Sequence, residues 1–353
     1  MRLSDEEQLR YSRHLKLDGF GEEAQTKLKN ARILVVGAGG LGCPCLLYLA
    51  AAGVGLLGIA DNDFVSISNL QRQVLYDTSD LGLAKTEAAR MHLQNRNPLV
   101  EVVQHSRVTK ENVIEILAGY DLIIDGSDNF ETRYLLNDAC VITNKPYIYG
   151  ALFKFEGQIS TFNYNNGPTY RCLYPRAPKP GDVPACNEAG VLGVLPGIIG
   201  TMQATEAIKV ITGIGEPLSG KVLMINLLAN TYDTLGFKLN PANRQFEDLN
   251  SFNDVNESDL SSINYLTLQN WLEREDIELI DVREEHEFEA YNIGGVNIPY
   301  SDIDQLLNHF NVEKKTVIVC ETGARSLNVI SRLREKFPQA HIYNLENGLQ
   351  SAY

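Results

Sequence analysis

No apolar stretch of this 353-residue sequence reaches the ~18 residues needed to cross a bilayer before a Gly or Pro interrupts it, so no membrane span is expected. The opening residues, Met1-Arg-Leu-Ser-Asp-Glu-Glu, lack the charged-then-apolar layout of a signal peptide, and a cytoplasmic protein is expected. Positive charge is also short: 31 Lys and Arg stand against 45 Asp and Glu, a net charge of −14. That balance argues against a broad phosphate-binding face for nucleic acid, so any anionic ligand must be held locally. Cysteine is sparse, with six residues over the whole length, which points to a reducing compartment rather than a disulfide framework. No internal repeat or low-complexity tract is visible.

At roughly 150 residues per domain the length allows ~2 domains. From Pro241 the sequence turns polar, rich in Asn, Asp, Ser and Glu, so residues 241–263 read as a linker between domains at 1–240 and 264–353. Upstream, strand and helix patterns alternate: strand Arg32 to Gly37, helix Leu41 to Ala52, strand Leu56 to Asp61, helix Thr86 to Gln94, strand Leu122 to Asp125. Such alternation predicts a mostly parallel sheet covered by helices. After Gly150 the alternating runs Gly157 to Tyr164 and Lys221 to Asn226 flank a helix near Gly200 to Ile211, so the sheet is expected to continue into antiparallel strands.

The strand Ile33 to Val36 runs into Gly37-Ala-Gly39-Gly40-Leu-Gly42, whose glycines allow a tight turn and close approach of a phosphate to a helix N-terminus. Asp61 ends the next strand where an acidic residue would take a ribose hydroxyl, and an NAD-dependent oxidoreductase is the first reading of that fingerprint. The following residues favour a polyphosphate instead: Ser68, Asn69, Gln71, Arg72 and Lys85 bring two cations and several polar groups. Asp128, beside Asn129 in Asp125-Gly-Ser-Asp-Asn129, can bind Mg²⁺ next to such a ligand.

A second constellation follows the apolar run Thr316 to Val319, where Cys320-Glu-Thr-Gly-Ala-Arg-Ser326 places a cysteine between a strand and a helical pattern. Converging backbone N–H groups, the turn at Gly323, Arg325 and the helix N-terminus all favour thiolate over thiol, so Cys320 is expected to be a nucleophile. Four residues separate Cys320 from Arg325, one fewer than a phosphate-wrapping loop uses, and the smaller ring suits a terminal sulfur atom. Cys43 and Cys45 lie one residue apart within a predicted helix and point in different directions, which fits core packing rather than a metal pair.

Residues 1 to about 240 resemble the ThiF, MoeB and HesA group, bacterial relatives of ubiquitin-activating enzymes. The matches are the glycine loop, Asp61, Asp63, Ser68 to Gln73, Lys85, Asp128-Asn129, the stretch beginning at Cys186, Gln203 to Lys209, and Arg10-Tyr-Ser-Arg13. Cys320, Gly323, Arg325 and Ser326 resemble the active loop of single-domain rhodaneses, with Asp281-Val-Arg283 and Ile293 to Pro299 similar to that family's lead-in. The resemblance implies an α/β chain: a Rossmann-like, mostly parallel sheet continuing into antiparallel strands, then an α/β rhodanese-like domain.

It also implies an activity, with ATP as nucleotide and Mg²⁺ at Asp128. The carboxylate of a Gly-Gly tail on a ubiquitin-like sulfur-carrier protein of MoaD or ThiS type would attack the α-phosphate, with Arg72, Lys85 and Arg13 offsetting phosphate charge. In this group the second arginine of the opening motif serves the partner's site, implying a homodimer with Arg13 acting in trans. Cys320 would take sulfur from a donor such as a cysteine desulfurase and pass it on as a persulfide. Cys186 would either hold the activated carrier as a thioester or resolve an acyl disulfide afterwards. The product, a carrier thiocarboxylate, would serve molybdopterin or thiamin biosynthesis. Many members hold a structural zinc with two CxxC pairs; here the first pair reads Thr169-Tyr-Arg-Cys172 and no second pair occurs near residues 240 to 250, so no zinc is expected.

Overall fold

A computed structural model describes residues 2–175, 177–178, 190–245, 248–249, 262–274, 277–303, 306, 310–337, 339–346 and 348–349. The chain splits into two compact units, Met1–Ala177 with Ala185–Phe252, and Pro178–Pro184 with Asn253–Tyr353. No described helix is long and apolar enough to cross a membrane.

The first unit opens with three helices, α1 (Asp5–Arg10), α2 (Ser12–Leu15) and α3 (Gly21–Asn30). It then alternates β1 (Arg32–Val36), α4 (Gly42–Ala52), β2 (Leu56–Ala60), α5 (Lys85–Arg96), β3 (Glu101–His105), α6 (Val113–Ala118), β4 (Leu122–Asp125) and α7 (Phe130–Ile142). The hairpin β5 (Tyr147–Phe153) and β6 (Glu156–Phe162), the short α8 (Tyr170–Leu173), the long α9 (Val194–Thr212), β7 (Lys221–Asn226) and β8 (Thr231–Gly236) follow. The strands form one sheet in the order β3-β2-β1-β4-β5-β6-β7-β8. Pairing is parallel as far as β4–β5 and antiparallel from β5–β6 onward, the changeover expected from the sequence.

β1, β2 and β4 are buried on both faces, which explains their unbroken apolar runs. One core lies under α4 and includes Leu46, Leu49 and Ile59; a second includes Leu34, Tyr134 and Phe162, and a smaller third joins Leu41, Leu195 and Ile225. Gly58 is required inside β2 because the Tyr120 ring occupies the space of a Cβ, 2.2 Å from the hydroxyl oxygen. α4 ends at Gly53, whose φ of 82° gives the left-handed cap that releases the chain into β2. Order reverses between β1 and β4, and the loops leaving these two strands diverge there to open a crevice.

The second unit is a five-stranded parallel sheet, β11-β10-β12-β13-β9, built from β9 (Ser262–Ile263), β10 (Ile277–Asp281), β11 (Val296–Asn297), β12 (Lys315–Val319) and β13 (Ile342–Leu345). Among the described residues it carries the helices α10 (Tyr265–Arg274), α11 (Glu285–Ala290) and α12 (Ala324–Lys336). Its two apolar clusters centre on Ile280, Ile318 and Leu333, and on Leu268, Leu279 and Val317. β12 is the central strand, so Cys320 leaves the sheet at its middle.

Candidate active site

The crevice at the β1/β4 reversal is a cavity of about 740 Å³. Gly37, Gly39, Gly40, Asp61, Asp63, Ser68, Asn69, Gln71, Arg72, Lys85, Asp128 and Asn129 all line it. Gly37 has φ 93°, and a Cβ there would lie 2.6 Å from the carbonyl oxygen of Gly126, so the loops after β1 and β4 touch backbone to backbone. Gly42 stands behind the lining, where a Cβ would fall 1.9 Å from the Gly37 carbonyl oxygen.

Asp61 ties the loop as well as facing the cavity. Its Oδ2 accepts from the Ala38 N–H at 2.7 Å and its Oδ1 from the Asp63 N–H at 2.8 Å. Lys85, 5 % exposed at the start of α5, donates to Asp63 Oδ2 at 2.7 Å, and Arg72 Nη1 donates to the Ser68 carbonyl at 2.9 Å. No hydrogen bond or ion pair engages the Asp128 carboxylate among the described residues. An uncommitted carboxylate facing the cavity fits a divalent cation beside a polyphosphate.

Motif reading missed three further cations on this wall, Arg107, Arg133 and Lys154. They come from the segment after β3, from the first turn of α7 and from the β5–β6 turn, and only the sheet brings them together. Arg72, Lys85, Arg107, Arg133 and Lys154 thus face Asp61, Asp63 and Asp128, five cations against three carboxylates, within a chain whose net charge is −14. That local excess favours a polyphosphate over the dinucleotide that the glycine fingerprint also admits. Arg13, on α2, is not among the lining residues. Cys186 lies outside the described residues.

In the second unit, Cys320 is 1 % exposed and its sulfur is cradled by the loop it opens. It accepts from the backbone N–H of Gly323 at 3.2 Å and of Ser326 at 3.4 Å. Gly323, with φ 90°, bends the chain so that both groups point inward. The Ser326 hydroxyl, 3.4 Å from the sulfur, donates to Asn344 Oδ1 at 2.6 Å. Arg325 instead forms a two-pronged pair with Glu287 of α11, at 2.6 and 2.7 Å. Hydrogen bonds from Arg325 hold the Glu287 carboxyl down at about 2, against opposing burial. Glu321 accepts from Arg283 at 3.2 Å, and Arg283 grips Asp281 of the same lead-in at 2.8 Å. Two main-chain donors at a helix start thus converge on this sulfur.

Thr169-x-x-Cys172 meets Asn240-x-x-Asn243, a pairing that cysteine spacing alone does not reveal. Cys172 Sγ receives the Asn240 N–H at 3.3 Å, the Thr169 N–H at 3.4 Å and the Asn243 Nδ2 at 3.6 Å. Burial opposes ionisation of this thiol, but those donors outweigh it and hold its pKa below the ordinary value. One sulfur, one hydroxyl and two carboxamides do not make the four-thiolate set that a structural zinc takes. This corner is closed by hydrogen bonds to sulfur.

The ThiF family matches residues 11–246 and the rhodanese-like domain matches residues 266–352. The probable adenylyltransferase/sulfurtransferase MoeZ of Mycobacterium tuberculosis is 43 % identical, the match covering 94 % of this chain and 90 % of that protein. The sulfur carrier protein adenylyltransferase of Thermus thermophilus is 50 % identical, covering 68 % of this chain and 91 % of that protein. Among solved structures, E. coli MccB with MccA-N7isoASN shares the fold at a TM-score of 0.59 and 24 % identity, covering 68 % of this chain and 74 % of that one. The chain belongs to the ThiF family and carries a C-terminal rhodanese-like domain.

Proposed function

We propose that this enzyme adenylates the C-terminal carboxylate of a ubiquitin-like sulfur-carrier protein and then converts it to a thiocarboxylate with sulfur relayed through Cys320. The observation that carries the reading is the cavity at the sheet reversal, where Arg72, Lys85 and Asp128 meet the glycine loop. The names of the relatives, adenylyltransferase, sulfurtransferase and sulfur carrier protein adenylyltransferase, support both halves.

In this reading the triphosphate of ATP lies along Arg72 and Lys85, which neutralise charge as pyrophosphate departs. Mg²⁺ at Asp128 would bind phosphate oxygens and add positive charge there. Arg13 enters from the second subunit of a homodimer. The product is a carrier acyl-adenylate. Cys320, loaded by a persulfide donor such as a cysteine desulfurase, presents its outer sulfur to the acyl carbon and AMP leaves. Cys186 acts either before, displacing AMP to hold the carrier as a thioester from which the persulfide then expels the Cys186 thiolate, or after, its thiolate attacking Cys320 to free the thiocarboxylate and leave a disulfide. Residues 1–240 and 264–353 are the two working domains and 241–263 their linker. The pathway served is molybdopterin or thiamin biosynthesis, in the cytoplasm.

The test separates the two stations. Cys320→Ala is expected to keep carrier-dependent ATP–pyrophosphate exchange within about twofold while abolishing thiocarboxylate, read by intact mass of the carrier. Asp128→Ala or Arg72→Ala is expected to lower exchange by about 100-fold or more and to spare sulfur transfer from thiosulfate to cyanide. Full thiocarboxylate from the Cys320 variant would remove the relay, and undiminished exchange in the other two would remove the nucleotide site.

A further inference from the structure

Arg133 is the most deeply buried cation of the cavity wall that no step above employs. It sits in the first turn of α7, four residues after the Asn129 cap, and is 5 % exposed. Its Nε has no hydrogen-bond partner, and it forms no ion pair among the described residues. Asp125, whose field it feels, is already committed: that carboxylate accepts from the Ser127 N–H at 2.9 Å, the Ser127 hydroxyl at 2.6 Å and the Tyr147 hydroxyl at 2.6 Å. The guanidinium carbon lies 5.1 Å from the ring centre of Phe130 and 5.7 Å from that of Tyr149, so aromatic rings pack beside it. A buried guanidinium with an idle donor is costly to maintain unless a ligand accepts from it.

A second orphan faces the same space. Gln73 is 3 % exposed and its Oε1 is buried without a partner, on the segment that also carries Arg72. The cavity therefore holds unmet hydrogen-bonding capacity at two places, one reached from β2 and one from β4. Arg72 and Lys85 answer for a triphosphate on the β2 side. The other reactant of an adenylation is a carboxylate, a flat two-oxygen anion that a guanidinium fork matches in shape and charge.

Resting on the adenylation reading, we propose that Arg133 receives the terminal carboxylate of the carrier's Gly-Gly tail and positions it for attack. One carboxylate oxygen forms the bond to the α-phosphorus as the bond to the bridging oxygen breaks, and pyrophosphate leaves with that electron pair. The other oxygen stays on Arg133 and becomes the acyl carbonyl of the mixed anhydride. Arg133 thereby offsets the repulsion between two anions that must come within bonding distance.

The experiment uses the full-length chain and a MoaD-type carrier in two forms, one ending in Gly-Gly carboxylate and one in Gly-Gly carboxamide. Binding of each is measured with a non-hydrolysable ATP analogue present, alongside KM for ATP and for carrier in pyrophosphate exchange. The wild-type chain is expected to prefer the carboxylate form by about tenfold or more, and Arg133→Met to erase that preference and raise the carrier KM at least about tenfold. ATP affinity should stay within about twofold, with Arg133→Lys recovering part of the preference. A retained preference in Arg133→Met, or a loss confined to ATP affinity, would overturn the assignment in favour of a structural or phosphate role. Should Arg133→Met lose its circular dichroism signature, Arg133→Lys decides, since an unchanged preference there with unchanged carrier KM is the opposing result. Absence of carrier-dependent exchange in the wild-type chain would instead remove the adenylation reading and this assignment with it.

Discussion

Arg325 donates through both terminal nitrogens to Glu287, so its charge is committed across the loop rather than at the Cys320 sulfur. The charge of Arg325 was legible in the sequence; its partner, 38 positions earlier, was not, because only the meeting of α11 with the start of α12 brings them together. The same holds at the nucleotide cavity, where Arg72, Lys85 and Asp128 sit in recognisable runs while Arg107, Arg133 and Lys154 belong to no motif. The pair at Glu287 has a pH signature. Its carboxyl is depressed from 4.5 to about 2, so its stabilisation is fully present above about 4.5 and is lost as pH falls from there through about 2. Glu287→Gln is expected to flatten the fall of the urea midpoint across that window, by about 1 kcal/mol or less because the pair is partly solvated. Parallel midpoint-versus-pH curves for the two proteins would show that the pair contributes nothing.

At the scale of elements, the runs that became β1, β2 and β4 were readable because strands buried on both faces carry unbroken apolar sequence. β3 escaped notice, since it is an edge strand in which Val102 alone is buried. α9 begins at Val194, six residues earlier than its apolar pattern indicated. Pro196 and Gly197 look like breakers, yet a proline in the first turn of a helix forfeits no hydrogen bond. The contact between the glycine loop and α4 yields a paired prediction. Gly42→Ala drives a methyl into the Gly37 carbonyl and is expected to cost about 1–3 kcal/mol and weaken ATP binding. Gly197→Ala, whose Cβ meets nothing within 4 Å, is expected to add about 0.5–1 kcal/mol of helix stability and leave binding alone. Denaturant melts and an ATP titration of both variants check this; equal behaviour of the two would mean that the loop gives way freely.

For the whole molecule, the two units have separate apolar clusters, those of the first including Leu34 and Leu49 and those of the second including Leu279 and Ile318. Calorimetry is expected to resolve two transitions. Leu49→Ala should lower one and Leu279→Ala the other, each by about 2–5 kcal/mol at its own core, and EDTA should shift neither. A single transition moved by both substitutions would join the cores, and a chelator-sensitive one would place a metal in the fold. The clip at Cys172 makes that last outcome a question of supply. A corner closed by four thiolates ripens only as fast as a cell can deliver zinc, and competes for it with every other zinc protein. The threonine, two asparagines and one sulfur at this corner predict folding without the metal, so expression in zinc-depleted medium is expected to yield as much folded protein as in replete medium.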